Sequence, residues 1–535
     1  MSPRPPSLTF STSYKCSLHS NPDIPESISD NPRIKALLEC NDSPLEIERV
    51  SLLATEAESS GLLVILKEKI NNVQQMLNIL LDGQTKVTEN LQAAKTLLHP
   101  IRSIPDDVLC HIFSFCVHEV YDLLDEDAVH NSLDSRKPPW TLSQVCRSWR
   151  RVTLSTASLW RCLSLDFERY REPGNVHLSQ FMLGLHIQGA RQHQLTIRIS
   201  SIKDISSHAF IPILLASIPY WKNLRACIPT KSFEVFLTYR GYLESLHYLK
   251  VRRALQDKAT SPIRIFEMAQ SVRVLDISSG LCSGICLPDN GKGLTNLTIH
   301  GRFVKCMFSL LGNTPNIEIL GVYFQASKPF ERLNTPIMMP KVTALAISEW
   351  DGAAPSSIAH LFESLELPAL SFLQLCLDNE DSDSTVFVFP EILSHHHCRE
   401  IRQVEVTAPR SKVGKAGLVD ILTCTINLEH LSVAAEVVDK DLLSALTRSN
   451  GNERILPKLF TFDLRGSESI ASYEILLQVA ESRRKDEIEP SRQEEALEMG
   501  ILEELYLDEP LTFDDVSLAS RWQALQSDGL IVNYG

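Results

Sequence analysis

Three short segments contain residue types that bind metals or do redox chemistry. Residues 395–398 read His-His-His-Cys, but the ligands of a zinc site are spaced along the chain and usually come in two groups. Cys282 and Cys286 have three residues between them, whereas a redox pair has two. The acidic residues of segment 378–383 lack the glycine and the distal glutamate of an EF-hand calcium loop. We therefore expect surface loops and turns at these places, and no metal.

The sequence also lacks the spaced motifs of the common enzyme classes. It contains no G-x-G-x-x-G, no P-loop, no H-E-x-x-H and no G-x-S-x-G. These patterns bind dinucleotides, phosphates or zinc, or hold a nucleophilic serine. We expect a protein that is not an enzyme and needs no cofactor. Its function should then depend on the elements that form binding surfaces.

A long amphipathic pattern runs through residues 44–99, which contain almost no proline or glycine. Apolar residues recur there at alternating spacings of three and four, which is typical of a coiled-coil seam. We expect one long helix, or a helical hairpin that bends near Asp82 and Gly83. Residues 63–101 would then bind a partner or a second copy of the chain, or pack back on their own chain. The seam consists of Leu63, Leu66, Ile70, Val73, Leu77, Leu80, Gln84, Val87, Leu91, Ala94, Leu98 and Ile101.

Two apolar helices are predicted between residues 100 and 167. Pro105 suits the first turn of the first helix, because its missing N–H has no helical partner there. Asp106 and Asp107 follow, where negative charge stabilises the helix dipole. The second helix begins near Thr141, and an insert at about 118–140 separates the two. The apolar residues of this module are Ile104, Val108, Leu109, Ile112, Phe113, Leu142, Val145, Trp149, Leu159 and Trp160.

In this order the motifs resemble the F-box, the helical module by which subunits of cullin–RING ubiquitin ligases bind a Skp-type adaptor. The resemblance covers about residues 34–167, and the lead-in helix ending in LLHPIR is similar to that of F-box-like proteins abundant in mushroom-forming fungi. Asp107 stands where the family usually has glutamate, and the insert exceeds that of a minimal F-box. Alternatively, the module packs against its own chain as a cap. The resemblance implies adaptor binding through Ile104, Pro105, Val108, Leu109, Ile112, Phe113, Leu142, Val145, Trp149, Leu159 and Trp160.

Residues 168–535 repeat an apolar-x-x-apolar-x-apolar pattern at intervals of 22 to 31 residues, and finally of 43. Each triplet predicts a short strand, and several of the segments between them have helical patterns. Parallel strands joined by helices form a solenoid in which each unit is buried by its neighbours. The middle residues of the triplets are Leu249, Leu275, Leu297, Leu320, Leu345, Leu373, Val404, Leu431, Phe462 and Leu505.

This pattern resembles the leucine-rich repeats that follow many F-boxes. It lacks the asparagine or cysteine that this family places after each strand, so another stacked α/β arrangement with a parallel sheet fits nearly as well. We place the target-binding surface on a concave strand face, among the variable residues between the apolar positions. The residues selected as target-binding are Arg273, Asp276, Thr295, Thr298, Glu318 and Tyr323.

The chain has 535 residues, of which 44% are hydrophobic, and a net charge of −14. Such an acidic chain is unsuited to general binding of nucleic acids or anionic membranes. It has no apolar stretch of the ~18 residues that a membrane span needs, and its first residues do not form a signal peptide. We expect a cytoplasmic or nuclear protein with reduced cysteines. Residues 481–515 carry 13 acidic and four basic residues, which predicts either a solvated helix and loop or an acidic patch suited to a basic target.

We therefore expect an α plus α/β fold in four segments. These are a mostly disordered leader at 1–43, a heptad-patterned helix or hairpin at 44–99, an F-box-like domain at 100–167, and a leucine-rich-repeat-like α/β solenoid with a parallel sheet at 168–535. The expected function is that of a substrate-recruiting adaptor subunit of a cullin–RING ubiquitin ligase. Its expected partners are the Skp-type adaptor with the cullin complex and a protein target. The alternative is a ligase-independent interaction scaffold or sensor whose F-box-like helices only cap the solenoid.

Overall fold

The structure is a computed structural model, and it divides into two compact units, Met1–Pro105 and Asp106–Gly535. Each unit is described by itself below. The residues that the structure describes are 31–117, 131–170, 176–191, 193–254, 261–301, 305–324, 335–350, 361–378, 400–413, 417–448, 455–467, 469–484, 500–511, 513 and 515–534.

The first unit consists of a short helix, α1 (Pro32–Glu39), and a 52-residue helix, α2 (Glu46–Leu97). The predicted long N-terminal helix is confirmed. The Glu48 carboxylate accepts a hydrogen bond of 2.8 Å from the backbone N–H of Leu45 at the start of α2, where backbone donors have no helical partner. The helix continues through Asp82 and Gly83, so the hairpin alternative is wrong. A 3-10 turn, Pro100–Ser103, follows it.

The second unit begins with the helices of the F-box-like segment and continues into a large sheet. Its α-helices are α3 (Asp106–Ser114), α4 (Trp140–Val145), α5 (Arg147–Ser155), α6 (Val176–Ala190), α7 (Ile211–Ser217), α8 (Lys305–Asn313), α9 (Gly417–Cys424), α10 (Lys440–Leu446), α11 (Tyr473–Arg484) and α12 (Val516–Ser527).

The sheet confirms the predicted parallel α/β architecture. Each new strand pairs in parallel with the one before it along the chain, with two short strands, β8 and β10, forming a separate pair. The strands are β1 (Cys162–Asp166), β2 (Leu195–Ser200), β3 (Trp221–Ile228), β4 (Tyr248–Arg253), β5 (Val274–Ser278), β6 (Asn296–Gly301), β7 (Ile319–Phe324), β8 (Ile337–Met338), β9 (Ala344–Trp350), β10 (Leu365–Glu366), β11 (Phe372–Asp378), β12 (Gln403–Val413), β13 (His430–Val438), β14 (Thr461–Asp463), β15 (Ser469–Ile470), β16 (Glu504–Leu507) and β17 (Ile531–Tyr534).

The ten predicted middle residues of the strand triplets all lie in one register row across the sheet, from Leu249 on β4 to Leu505 on β16. They are at most 1% exposed, and alternate residues of each strand therefore face away from the core. Strand β2 extends the same row through Ile197. The triplet pattern did not predict β2, because its first position is the polar residue Gln194.

The connections between strands differ from the expected helix in every unit. Between β3 and β6 the chain uses 3-10 helices, including Thr230–Tyr242 and Ile265–Met268. Successive strands there begin only 22 to 26 residues apart, which leaves little chain for a returning helix. A 3-10 helix is narrower and serves in short connections. The expected helices α8, α9 and α10 form at longer intervals.

Three aromatic rings join the F-box-like helices to the start of the sheet. Trp160 is fully buried, and its ring lies 4.9 Å from that of Trp140 and 5.3 Å from that of His186, both edge-on. His186 Nε2 lies 3.1 Å from the carbonyl oxygen of Cys162 on β1. Trp140 Nε1 donates to the carbonyl of Ser132 at 2.7 Å. The part of the predicted insert that the structure describes, 131–140, is therefore packed into the fold.

The unfolding free energy should depend on pH through His186. Burial lowers the pKa of His186 to about 4, although hydrogen bonds to backbone carbonyls oppose that shift. Between pH 6.5 and 4 the unfolded chain therefore binds a proton that the folded chain does not, so stability falls as pH falls. We expect a loss of about 3 kcal/mol across this window. Denaturant unfolding at pH 7 and pH 4.5 measures it, and His186→Gln should reduce the pH-dependent loss.

Candidate functional site

A stripe of exposed apolar side chains runs along α3. Val108 is 43% exposed, Ile112 is 41% exposed, and Phe115, just after the helix, is 76% exposed. Positions i, i+4 and i+7 lie on one face of a helix. Val145, at the end of α4, is 60% exposed. We refer to Val108, Ile112, Phe115 and Val145 as the apolar patch.

The neighbouring face of α3 packs into the second unit. Leu109 is 3% exposed and Phe113 is fully buried, and the ring centroid of Phe113 lies 4.8 Å from that of Trp149 on α5. The two stripes of α3 thus have different roles. One holds the helix in the fold, and the other lies on its surface.

The structure divides the eleven predicted adaptor-binding residues by burial. Five contact the interior of their own chain and, in this conformation, do not lie on the surface. Ile104 and Trp149 are half-buried, and four others are exposed. The buried residues are Leu109, Phe113, Leu142, Leu159 and Trp160, and the exposed residues are Pro105, Val108, Ile112 and Val145.

Two polar contacts set the position of α3 against the helices that follow. Arg151 on α5 donates two hydrogen bonds of 2.9 and 2.8 Å to the carboxylate of Asp106, the first residue of α3. Both side chains are more than half exposed, so this pair orients the helices more than it stabilises them. Cys110 Sγ and Thr156 Oγ1 lie 3.0 Å apart and add a second contact between the same elements.

A cluster of charged residues lies on the face of the sheet opposite the core. Asp276 on β5 receives the ammonium of Lys250 at 3.0 Å and the guanidinium of Arg252 at 3.3 Å, both from β4. His300 Nε2 on β6 lies 3.0 Å from the same carboxylate. The side chains of Lys250 and Asp276 are under 10% exposed. A buried carboxylate needs such partners, because its charge has lost its hydration. We call these four residues, with Tyr323, the polar-face cluster.

The electrostatics of the cluster keep its carboxylate ionised. Burial by itself would raise the pKa of Asp276, but the hydrogen bond from His300 and the positive charges of Arg252 and Lys250 outweigh it, so the pKa lies below its usual value. Tyr323 on β7 stacks on His300, with ring centroids 4.5 Å apart and planes inclined by 10°. Burial and the nearby charge of Asp276 raise the pKa of Tyr323. This phenol therefore stays protonated and can donate a hydrogen bond.

The predicted target-binding residues fall into two groups. Asp276 and Thr298 are register partners on β5 and β6, and Tyr323 lies on the next strand. The other three, Arg273, Thr295 and Glu318, precede their strands. Their backbone carbonyls accept hydrogen bonds from the next unit, as in the bond of 2.9 Å from Thr295 N to Arg273 O. The six residues therefore lie partly on the polar face and partly along the rim where the strands begin.

Sequence reasoning missed several members of both surfaces. Phe115 is the most exposed residue of the apolar patch, and it follows Ile112 at the spacing that continues the α3 stripe. Lys250 and Arg252 alternate with the buried Leu249 and Val251. That alternation places them on the outer face of β4, so the strand pattern already contained the signal.

The acidic stretch 481–515 is described only at its ends, since residues 485–499 lie outside the described part of the chain. At its start, Glu481 on α11 accepts two hydrogen bonds, of 2.8 and 2.7 Å, from Arg521 on α12. This carboxylate is therefore neutralised within the chain. The prediction of an acidic patch stays a prediction.

The metal-like segments of the sequence provide no site in the described residues. Segment 395–398 lies outside them, as does most of segment 378–383. Over the ranges given above, no group of three or more His, Cys, Asp or Glu side chains is placed to hold a metal ion. Within the same ranges, no helix combines the length and the apolar character that crossing a membrane requires.

The comparisons with known proteins add no family to this picture. A scan of the sequence against protein-family models finds no match, and no curated protein matches it either.

Proposed function

We propose that this protein is a substrate-recruiting adaptor subunit of a cullin–RING ubiquitin ligase. In this proposal the apolar patch binds the Skp-type adaptor, and the sheet binds a protein target. The chain supplies no chemistry. By holding the target near a ubiquitin-conjugating enzyme, it raises the effective concentration of the reacting groups.

The observation that carries the proposal is the exposed stripe of the apolar patch. An isolated exposed apolar residue needs no explanation, but a cluster of large ones on the same short helix is typical of a protein interface. Val108 and Ile112 belong to the segment that resembles the F-box, and Val145 follows in the second predicted helix. The resemblance and the exposure therefore agree on these three residues.

The architecture of the sheet supports the second half of the proposal. We infer that residues 168–535 form a leucine-rich-repeat-like solenoid, because each unit adds one strand beside its predecessor in the same register. Such arrays offer extended binding surfaces. The polar-face cluster combines tyrosine and arginine, which are enriched among the residues that dominate binding energy at interfaces. We place the target contact at Tyr323 and His300, the half-exposed members of this cluster.

Adding charge to the apolar patch should abolish adaptor binding. The double variant Val108→Asp/Ile112→Asp is expected to lower retention of a purified Skp-type adaptor on the immobilised full chain by at least ~100-fold, because desolvated carboxylates against an apolar partner cost several kcal/mol. Both residues are more than 40% exposed, so the variant should keep the thermal midpoint of the wild type. Leu109→Asp is less informative, since Leu109 is buried and its loss would unfold the module.

The matched control is Val516→Asp. Val516 is 83% exposed at the start of α12, near the other end of the strand order, and this variant should retain the adaptor fully. If the wild-type chain does not retain the adaptor, the ligase proposal is overturned. Equal retention by the wild type and the double variant would remove the apolar patch as the docking surface.

A second candidate function is a ligase-independent scaffold in which the F-box-like helices only cap the sheet. The burial of Leu142, Leu159 and Trp160 against the chain favours it, because these side chains act as a cap should. Affinity purification with mass spectrometry under proteasome inhibition separates the two candidates. A ligase subunit brings down the adaptor and cullin together with its target, and a scaffold brings down the target alone.

A further inference from the structure

Helix α2 presents a continuous apolar seam with no cover among the described residues. At 1.5 Å per residue its 52 residues span about 78 Å, and none of its side chains is buried. Every residue from Asn71 to Leu98 is exposed. Most helices in proteins are stabilised by packing of their apolar face, so a helix of this length with a bare seam lacks its usual partner.

The seam has the geometry of a coiled coil. From Leu63 to Leu98 it covers five heptads, above the three to four that make such a pattern meaningful. The first and fourth heptad positions, a and d, form the contact in coiled coils. The a positions are Leu63, Ile70, Leu77, Gln84, Leu91 and Leu98, and the d positions are Leu66, Val73, Leu80, Val87 and Ala94. Exposed fractions along it include 52% for Leu77, 65% for Leu80 and 54% for Leu91.

We propose that the seam of Leu63–Leu98 binds a second copy of this chain as a parallel, in-register coiled coil. This inference does not depend on the proposed function. Both chains would continue from the same end of the coiled coil into their second units, so the assembly would present two apolar patches and two sheets.

Gln84 is the first argument for a second copy in register. It is the one polar residue at an a position of the seam. In a parallel in-register pair, equivalent a residues face each other, and the two amides can hydrogen-bond because each has both donors and an acceptor. A staggered or antiparallel pair would bury the amide against leucine or valine. A single polar a residue is known to specify register in this way.

The charges beside the seam are the second argument. Positions e and g flank a coiled-coil contact and set partner choice. In a parallel pair, g residues meet e residues five positions later, and the pairs Lys69–Gln74, Met76–Leu81, Gly83–Thr88 and Asn90–Lys95 bring no like charges together. A fully overlapped antiparallel pair would place Lys67 of one copy near Lys95 of the other. Segment 63–98 carries four lysines and three acidic residues, so the overall negative charge of the chain does not repel a second copy there.

The mass of the full chain in solution tests the proposal. Size-exclusion chromatography with light scattering should give about 120 kDa for the wild type, twice the 60.1 kDa of one chain. Leu77→Asp/Leu80→Asp should return the mass to one chain. The matched control is Ile79→Asp, which adds the same charge to the same turn but lies off the seam and is already 71% exposed. It should keep the wild-type mass.

Strand direction is tested by a cysteine at one end of the seam. In a parallel pair, Leu63→Cys places two thiols opposite each other, and mild oxidation should produce a cross-linked dimer that wild type does not form. In the antiparallel pair these thiols would lie roughly 50 Å apart, far beyond disulfide reach. A wild-type mass of one chain would overturn the proposal and leave the seam to a different protein. A dimer that survives Leu77→Asp/Leu80→Asp, or that Leu63→Cys does not cross-link, would overturn it equally.

Discussion

Replacing Arg483 with methionine is expected to lower the free energy of unfolding of the C-terminal units by about 3–5 kcal/mol. Arg483, on α11, is 1% exposed. Its guanidinium donates to three backbone carbonyls, those of Leu446 at 2.9 Å, Leu456 at 2.7 Å and Ile455 at 2.9 Å. Methionine fills similar space but leaves these acceptors without their donor.

The position of these carbonyls explains the size of the effect. Leu446 is the last residue of α10, and the carbonyls at a helix C-terminus have no helical donor and carry partial negative charge. Ile455 and Leu456 form the turn before β14, where Leu456 has a φ of +53°. Burial lowers the pKa of Arg483, and the charge of Arg448 lowers it further. The side chain thus joins three consecutive parts of the sheet edge through its own charge.

Hydrogen exchange measured by mass spectrometry locates this effect, since units of a repeat array contact mainly their neighbours. Peptides from 440–484 should lose protection, and peptides from 160–250 should keep it. Arg402→Met is the matched control. Arg402 is largely exposed and pairs with Glu429 at 3.5 Å, a kind of pair worth ~1 kcal/mol or less. An unfolding change below about 1 kcal/mol for Arg483→Met would contradict the assigned role.

Trp160→Ala should destabilise the junction of helices and sheet by about 3–5 kcal/mol, the usual cost of removing a fully buried tryptophan. Besides its contacts with Trp140 and His186, Trp160 donates from Nε1 to the carbonyl of Thr153 at 2.9 Å. It also lies so close to Gly189 that an added Cβ there would come within 2.8 Å of the ring. The ring therefore fills its site without slack.

Denaturant unfolding followed by fluorescence measures this change, and Trp160→Phe is the conservative comparison. Phenylalanine keeps an aromatic ring but loses the hydrogen bond to Thr153, so we expect a smaller cost of roughly 1–2 kcal/mol. The experiment also separates two explanations for lost adaptor binding. Trp160→Ala should weaken binding together with stability, whereas Val108→Asp/Ile112→Asp should weaken binding alone. If Trp160→Ala left stability unchanged and abolished binding, Trp160 would be a contact residue.

The strand row from Leu249 to Leu505 shows which part of the fold was predictable. Each unit must bury one apolar residue at the same depth, and this requirement recurs once per unit along the chain. The rule failed for β2, because the first position of its triplet lies in the turn before the strand. There Gln194 is tolerated, while Ile197 and Ile199 still fill the core. The short connections were also not predictable as 3-10 helices, because both kinds of helix suit the same apolar spacing.

For the candidate site, residue type was a weaker guide than for the fold. Val108 and Leu109 are adjacent apolar residues of the same helix, and both were assigned to the adaptor. Only one is exposed, because Leu109 shares its stripe with Phe113, which packs on Trp149. In the same way, Asp276 was selected as a variable strand residue, but its partners Lys250, Arg252 and His300 come from neighbouring strands.

The sequence by itself determined the long helix, the heptad seam and the register of the parallel sheet. These depend on periodicity, which is a local property of the chain. The tertiary structure decided which apolar residues remain on the surface. Whether Trp160 faces a partner or its own core depends on the space left by Gly189 and His186, nearly 30 residues away in the chain. No local pattern records that space, because it exists only once distant elements pack together.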